Sequence, residues 1–440
     1  MNIKYKNIMY FKYNIFFSYF YKNFYKKNLQ KILLNKMRNK KIFCFLLIIL
    51  IISSHAEIPL SYTEENTGKN CKKPNLPEPN SLKKIDKLPN PFEWSDASGK
   101  VTSLEEWNCR REEIKYEIEK YEIGTKPETA KVQASYSGNS LKVTITDNGK
   151  TVSLTSSLKI PSGTGPFPVI IGMNSGTGSL DSNLFSDFIQ VPFFHDQVAK
   201  YSMNGIKDTS APFYQMYPNL ASNGDYSAWA WGVSRLIDGL EQVKNDIKAD
   251  LTRIVVTGCS YAGKMALFSG AFDQRIALTI AQESGGGGIN SWRVADTIGN
   301  VEKIANTNYS WFMQYLKNNF NGKANLLPYD HHELIGMIAP RAFLALGNPD
   351  YEWLGDPAGY VSVMGAYEIW KAMGVEDRFG FDFANGHMHC MASGSQNEAV
   401  KAYVDKFIRG KGGKQVLSGH PGNIDANSWI SGWAGYKFSS

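Results

Sequence analysis

Val255-Val256-Thr257-Gly258-Cys259-Ser260-Tyr261-Ala262-Gly263-Lys264 is the stretch that decides the fold. A short apolar run enters small residues, meets a serine and leaves toward a helix from about Gly263. A nucleophile at a sharp strand-to-helix turn needs this order. Small neighbours permit the strained turn, and the helix N-terminus brings backbone N–H groups to a developing oxyanion. The pattern reads G-x-S-x-A-G, with Ala262 where a second glycine would stand. Taken alone, it also suits a structural serine at a strand-to-helix turn.

Outward from this turn, residues 168–173, 253–258, 277–282, 342–346 and 379–383 are short apolar runs, as in buried parallel strands. Residues 226–246 and 395–409 have helical spacing. The alternation predicts one α/β domain, a mostly parallel sheet covered by helices on both faces. Glu283 follows the run at 277–282, and Asn385-Gly386-His387-Met388-His389-Cys390 follows the run at 379–383. Groups just past the carboxyl ends of such strands share one edge of the sheet. A serine needs a base, and the base needs an orienting acid. Serine, acid, histidine is the chain order of α/β-hydrolases. Spacing does not choose between His387 and His389, and Glu283 alone also reads as a solvated strand-end carboxylate. Asp330-His331-His332-Glu333 has metal-ligand residue types, but it reads as a loop before a helix. No C-x-x-C pair exists, so neither a metal nor another cofactor is expected.

Among 440 residues, 48 are Lys or Arg and 41 are Asp or Glu. Residues 1–56 hold eleven of the basic residues and none of the acidic ones, leaving 37 basic against 41 acidic in the remainder. The body therefore gives no charge argument for nucleic acid. Residues 37–56 join a basic start to an unbroken apolar run over 42–52 and end on Ser54-His55-Ala56, the pattern of a secretion signal cleaved after Ala56. That run is too short to span a bilayer, so no stable membrane association is expected. Residues 1–36 lack a structural period and read as a non-native upstream extension before a start at Met37. Cys44 leaves with the signal. Cys71, Cys109, Cys259 and Cys390 remain, an even number suited to two disulfides in an oxidising, extracellular setting. Four cysteines allow three pairings.

Residues 57–125 read as an N-terminal extension with a helix over 103–122, packed on the domain at 126–410. In that helix Trp107, Ile114 and Ile118 would face inward, and Glu105, Glu106, Arg110, Glu112 and Glu113 would face solvent. Residues 129–160 alternate with turn signals and predict an antiparallel meander. A glycine-rich tail occupies 411–440. Nothing marks an obligate interface, so a monomer is expected.

Five motifs together resemble carbohydrate esterase family 15, the glucuronoyl esterases. They are Gly258-Cys259-Ser260-x-x-Gly263-Lys264, Gln282-Glu283-Ser284-Gly285, Leu327-Pro328-Tyr329-Asp330-His331-His332, Trp353-Leu354-Gly355 and Gly386-His387-x-His389-Cys390. Cys109-Arg110-Arg111-Glu112-Glu113-Ile114 with Tyr121-Glu122-x-Gly124 fits as well, and the match runs from about 70 to 410. The resemblance implies an α/β-hydrolase fold with Ser260 as nucleophile, Glu283 as acid and His389 as base. It implies a Cys259–Cys390 disulfide, which leaves Cys71–Cys109. It further implies sugar contacts from Lys264 and Trp353. The substrate would be the ester between glucuronic or 4-O-methylglucuronic acid of glucuronoxylan and a lignin alcohol.

Tyr261 stands where fungal-type members have an arginine, so only its backbone N–H is expected at the oxyanion. A third family disulfide would need a cysteine near Ser291, and none is there. Further sugar contacts align with Glu302 and Asn308 across a gap, yet Asn308-Tyr309-Ser310 is also a glycosylation sequon, and the two readings conflict. Some members place the acid after a later strand, which makes Asp350 and Glu352 the alternatives to Glu283. Two other functions fit parts of the pattern: an acetyl-xylan or feruloyl esterase with the same triad, or an inactive carbohydrate-binding protein.

Overall fold

Helix α1 (Leu104–Ile118) starts where Ser103 Oγ accepts the N–H of Glu106 at 3.2 Å. In this computed structural model residues 58–128, 130–422 and 424–439 are described; the secretion signal expected over 37–56 and the upstream extension expected over 1–36 lie outside them. The inward face of α1 is as expected, with Trp107, Ile114 and Ile118 fully buried. Its outer face corrects the reading. Glu105 is exposed, but Arg110 and Glu112 are buried. Arg110 Nη2 lies 2.8 Å from Glu333, and Lys115 Nζ lies 3.2 Å from Glu112. The helix is covered on more than one side, by the short helix His331–Gly336 and by the N-terminal arm that the Cys71–Cys109 disulfide ties to it. Charges taken out of water that way must be paired.

The predicted meander is present as β1 (Lys131–Ser137), β2 (Ser140–Asp147) and β3 (Lys150–Ser157), antiparallel throughout. Leu141, Val143 and Ile145 alternate along β2 and are buried against helix α2 (Asp225–Val243).

The second sheet carries the site. Its strands are β4 (Phe167–Met173), β5 (Ile189–Phe193), β6 (Ala249–Cys259), β7 (Ile276–Gln282), β8 (Ala342–Leu346), β9 (Phe379–Asp382) and β10 (Leu417–Ser418). The order is β10-β9-β8-β7-β6-β4-β5 and every pairing is parallel. This is the α/β-hydrolase architecture that the sequence predicts. β5 escaped that reading because Pro192 interrupts its run. The strand is at the edge of the sheet, where a missing N–H costs no ladder bond. Chain order reverses between β4 and β6, which opens a crevice at their carboxyl ends, the usual ligand position in such sheets. Helices α3 (Tyr261–Phe272), α4 (Asp356–Met373) and α5 (Gly394–Tyr403) follow β6, β8 and β9. The tail, read as glycine-rich, supplies β10 and returns Trp433 and Phe438 to Phe92, with ring centroids 6.0 and 6.1 Å away. Among the described residues no helix is long and apolar enough to cross a membrane.

Candidate active site

Ser260 sits between β6 and α3 with φ 59° and ψ −126°. A non-glycine residue held there is strained, and the neighbours enforce it. A Cβ on Gly258 would lie 2.3 Å from the Ala262 carbonyl oxygen, and one on Gly263 would lie 2.3 Å from that of Gln282. The second glycine of the turn is thus needed at 263, and Ala262 fits where it is. The Ser260 carbonyl accepts the N–H groups of Gly263 and Lys264 at 2.9 and 3.0 Å, turning the chain directly into α3. Tyr261 opens that helix, and a first helical N–H has no intrahelical partner.

Glu283, one residue past β7, is buried and has φ 44°. Its Oε2 lies 2.6 Å from His389 Nδ1 and accepts from Asn348 Nδ2 at 3.1 Å. Its Oε1 accepts the Cys390 N–H at 2.8 Å. His387 is 3.8 Å from the same carboxylate, and its Nδ1 is 3.2 Å from Asn348 Nδ2. Asn348 also bonds the His387 carbonyl at 2.8 Å, so one amide pins the histidine loop to the acid. Asp350 sits against Gly386, and Glu352 accepts the Asn300 N–H at 3.3 Å; neither bonds His389 among the described residues. Cys259 and Cys390 form a disulfide with Cα atoms 5.6 Å apart, the pairing the resemblance implies. Cys259, Glu283, His389 and Cys390 cluster tightly enough to resemble a metal site. The two sulfurs are bonded to each other, so they offer no thiolate ligands.

Ser260 and His389 open into one cavity of about 590 Å³, also lined by Lys264, Glu302, Asn308 and Trp353. Lys264 Nζ lies 2.8 Å from Glu302 Oε2, and both side chains are buried. Thr307 Oγ1 donates to the other Glu302 oxygen at 2.7 Å. Lys264 also stands 5.3 Å over the Trp311 ring, a cation–π contact. Trp353 is 45 % exposed and presents an aromatic surface at the mouth. Asn308 lines the cavity, but its Nδ2 donates to the Ser202 carbonyl at 2.6 Å and its Oδ1 accepts from Ser310. The sequon is folded in, with Ser310 fully buried.

The Tyr261 side chain turns toward β4 and β5. Its Oη accepts from Asn174 Nδ2 at 2.7 Å and lies 3.2 Å from His195 Nε2. Its ring stacks on Trp311, with 6.1 Å between centroids. Burial raises its hydroxyl pKa and lowers that of the His195 imidazole. Asp356, at the start of α4, is buried, and this pushes its carboxyl up to about 7, with the charge of Glu283 acting in the same direction. Asn348, Tyr351, Tyr201 and Trp311 were missed in the sequence. Of these only Asn348 carried a signal, since it follows β8 as Glu283 follows β7. Tyr351 Oη accepts the His389 N–H at 3.1 Å and its ring lies 5.3 Å from the imidazole.

A family model described as fungal glucuronyl esterase matches residues 143–374. Two 4-O-methyl-glucuronoyl methylesterases are similar. That of Thermothelomyces thermophilus is 37 % identical over 86 % of this chain and 95 % of its own length. That of Podospora anserina is 36 % identical over 82 % and 76 %. The crystal structure of glucuronoyl esterase from Sporotrichum thermophile superposes with a TM-score of 0.78 at 35 % identity, covering 84 % of this chain and all of that one. A serine-to-alanine mutant of that enzyme was solved with methyl 4-O-methyl-β-D-glucopyranuronate.

Proposed function

This chain belongs to the glucuronoyl esterase family of carboxylic ester hydrolases, and from that premise we propose that it cleaves the ester between (4-O-methyl-)glucuronic acid of glucuronoxylan and a lignin alcohol. The Lys264–Glu302 pair in the Ser260 cavity is the observation that carries the acyl half of this reading. A buried ammonium held by a carboxylate, beside an exposed indole, matches the hydroxyls and apolar face of a sugar acid.

Ser260 Oγ attacks the ester carbonyl while His389 Nε2 takes its proton. Glu283 holds the imidazole by Nδ1 and stabilises the imidazolium that forms. The oxyanion is met by the backbone N–H of Tyr261. His389 then protonates the departing alcohol oxygen. A water molecule, deprotonated by the same imidazole, hydrolyses the glucuronoyl ester on Ser260. Glu302 holds Lys264 in place, and Trp353 stacks on the sugar ring. The two disulfides and the fungal relatives support an extracellular enzyme, which we take to work as a monomer.

The test is hydrolysis of methyl glucuronate by residues 57–440, beside a nitrophenyl acetate control. Cleavage that disappears in a folded Ser260→Ala variant supports the reading. Full turnover by that variant sinks the mechanism, and Ser260-dependent cleavage of acetate alone moves the protein to the acetyl esterases.

A further inference from the structure

Another cavity, of about 410 Å³, adjoins the one at Ser260 and shares Gly205, Tyr309 and Gln314 with it. Ser260, Lys264 and His389 do not reach it. Lys120 and Lys207 line it, and no Asp or Glu does. Lys120 is already held, by Glu78 at 2.9 Å and by the Leu76 carbonyl at 2.7 Å. Lys207 forms no ion pair among the described residues. Its Nζ donates to the Ala221 carbonyl at 3.4 Å and stands 5.3 Å over the Tyr214 ring. Burial lowers the Lys207 pKa, and the charge of Asp225 opposes that shift. Asp225 itself accepts the Tyr214 hydroxyl at 2.6 Å. On the other side of the shared wall, Lys317 lines the first cavity with its Nζ 5.1 Å over the Tyr309 ring, again without an ion pair among the described residues.

An ammonium partly taken out of water gains from a counter-charge. The sugar acid bound at Ser260 does not supply one, because its carboxyl is uncharged while the ester is intact. Its ester carbon and its anomeric carbon lie across the ring from each other. With the ester at Ser260, the polysaccharide therefore leaves the pocket on the side away from the nucleophile. Gly205, Tyr309 and Gln314 join that pocket to the cavity at Lys207, where Thr209 and Tyr315 add hydroxyl groups. Hydroxyls and an amide suit a sugar chain, but a neutral chain has no use for the ammonium. A free uronate further along the same chain does, since its carboxylate accepts charge-assisted hydrogen bonds. The positive charge is local to this place, because beyond residue 56 the sequence holds 37 basic against 41 acidic residues.

We infer that the cavity at Lys207 is a second uronate subsite, which holds a free glucuronate carboxylate on the same xylan chain as the ester being cleaved. The inference rests on the glucuronoyl reading for the ester itself. The experiment compares kcat/KM for two xylo-oligosaccharides that carry the same glucuronate methyl ester, one of them with an additional free glucuronate. The native enzyme should prefer the second substrate about fivefold, as for a partly covered ion pair. Lys207→Gln should bring the ratio to about one, and Lys207→Arg should keep most of the preference. No preference in the native enzyme, or an unchanged ratio in Lys207→Gln, overturns the inference. Should Lys207→Gln fail to fold, salt decides on the native enzyme. Raising NaCl from about 50 mM to about 500 mM should erase most of the preference, and a preference that persists overturns the inference. In parallel, NMR titration follows a xylo-oligosaccharide with one free glucuronate binding to Ser260→Ala and to Ser260→Ala/Lys207→Gln. Weaker binding without the Lys207 ammonium supports the subsite even where neither ester is cleaved, a result that would count against the glucuronoyl reading alone. Equal binding to both proteins overturns it. Lys207-dependent inhibition by monomeric glucuronate, with the substrate ratio unchanged, overturns it in favour of a site for the free sugar acid.

Discussion

Glu283 holds Cys390 as well as His389: its Oε1 accepts the Cys390 N–H at 2.8 Å, and its Oε2 lies 2.6 Å from the His389 ring. One buried carboxylate thus fixes both the ring and the backbone beside it. The disulfide from Cys390 to Cys259 joins this loop to the residue before Ser260. Ser260 follows β6 and His389 follows β9, with β7 and β8 between them in the seven-stranded sheet, and three separate constraints set their separation. Replacing Glu283 by glutamine keeps the shape but removes the charge and offers the imidazole an ambiguous partner. The turnover of Glu283→Gln on methyl glucuronate should fall about 10³- to 10⁴-fold, with KM changing far less. Asp350→Asn and Glu352→Gln should stay within a few-fold of native, and a collapse of either to the Glu283→Gln level would move the acid to that residue.

The two disulfides should separate stability from turnover. Cys259–Cys390 spans 131 residues and Cys71–Cys109 spans 38. Loop-closure entropy gives about 5 and 4 kcal/mol for loops of these lengths. Replacing either pair by alanine should therefore lower Tm by a comparable amount. Only loss of Cys259–Cys390 should also lower kcat, by about tenfold or more, because a small misplacement of base against nucleophile is costly. Thermal unfolding and kcat measured on both double variants check this. Equal kcat in the two would make Cys259–Cys390 a staple with no positioning role.

The sequence made legible those parts of the site that follow buried strands. Ser260, Glu283 and the two histidines each come directly after an apolar run, so the carboxyl-edge rule located them. It could not choose His389 over His387, because both follow the same strand; that difference lies in which ring reaches Glu283. The Tyr201 and Trp311 stack was invisible, since these residues sit on long loops whose path no local period dictates. Helix α4 was also missed. Gly359 and Gly365 lie in its interior, where propensity argues against a helix, and close packing of Gly365 against Leu88 and His332 overrides it. Arg110 and Glu112 were misassigned to solvent because a charge pattern does not reveal partners more than two hundred residues away, such as Glu333.

The Lys264–Glu302 pair allows binding to be told apart from folding. Glu302→Gln leaves a buried ammonium without its carboxylate, which should cost about 3–5 kcal/mol and lower Tm markedly. The double variant Lys264→Met/Glu302→Leu removes both charges and should recover most of that stability. Its KM for methyl glucuronate should remain at least tenfold raised. If the double variant binds the ester as tightly as the native enzyme, the pair belongs to the scaffold and the sugar acid is recognised elsewhere.

Asp356 gives the pH prediction. Its Oδ2 is buried with no hydrogen-bond partner among the described residues, and burial lifts the carboxyl from an ordinary 3.8 to about 7. Through the window from about pH 4 to about pH 7 the unfolded chain releases a proton that the fold retains. The unfolded state then binds fewer protons, so stability falls as pH rises through that window. Above pH 7 the fold holds a buried charge that the like charge of Glu283 disfavours. Asp356→Asn keeps the size of the side chain and cannot ionise. Its Tm should exceed that of the native enzyme by several degrees at pH 8, and the advantage should shrink toward zero by pH 4. Thermal melts of the two proteins across this range read the difference directly. A constant offset at every pH would assign the effect to packing and leave the Asp356 carboxyl without a role in the pH profile.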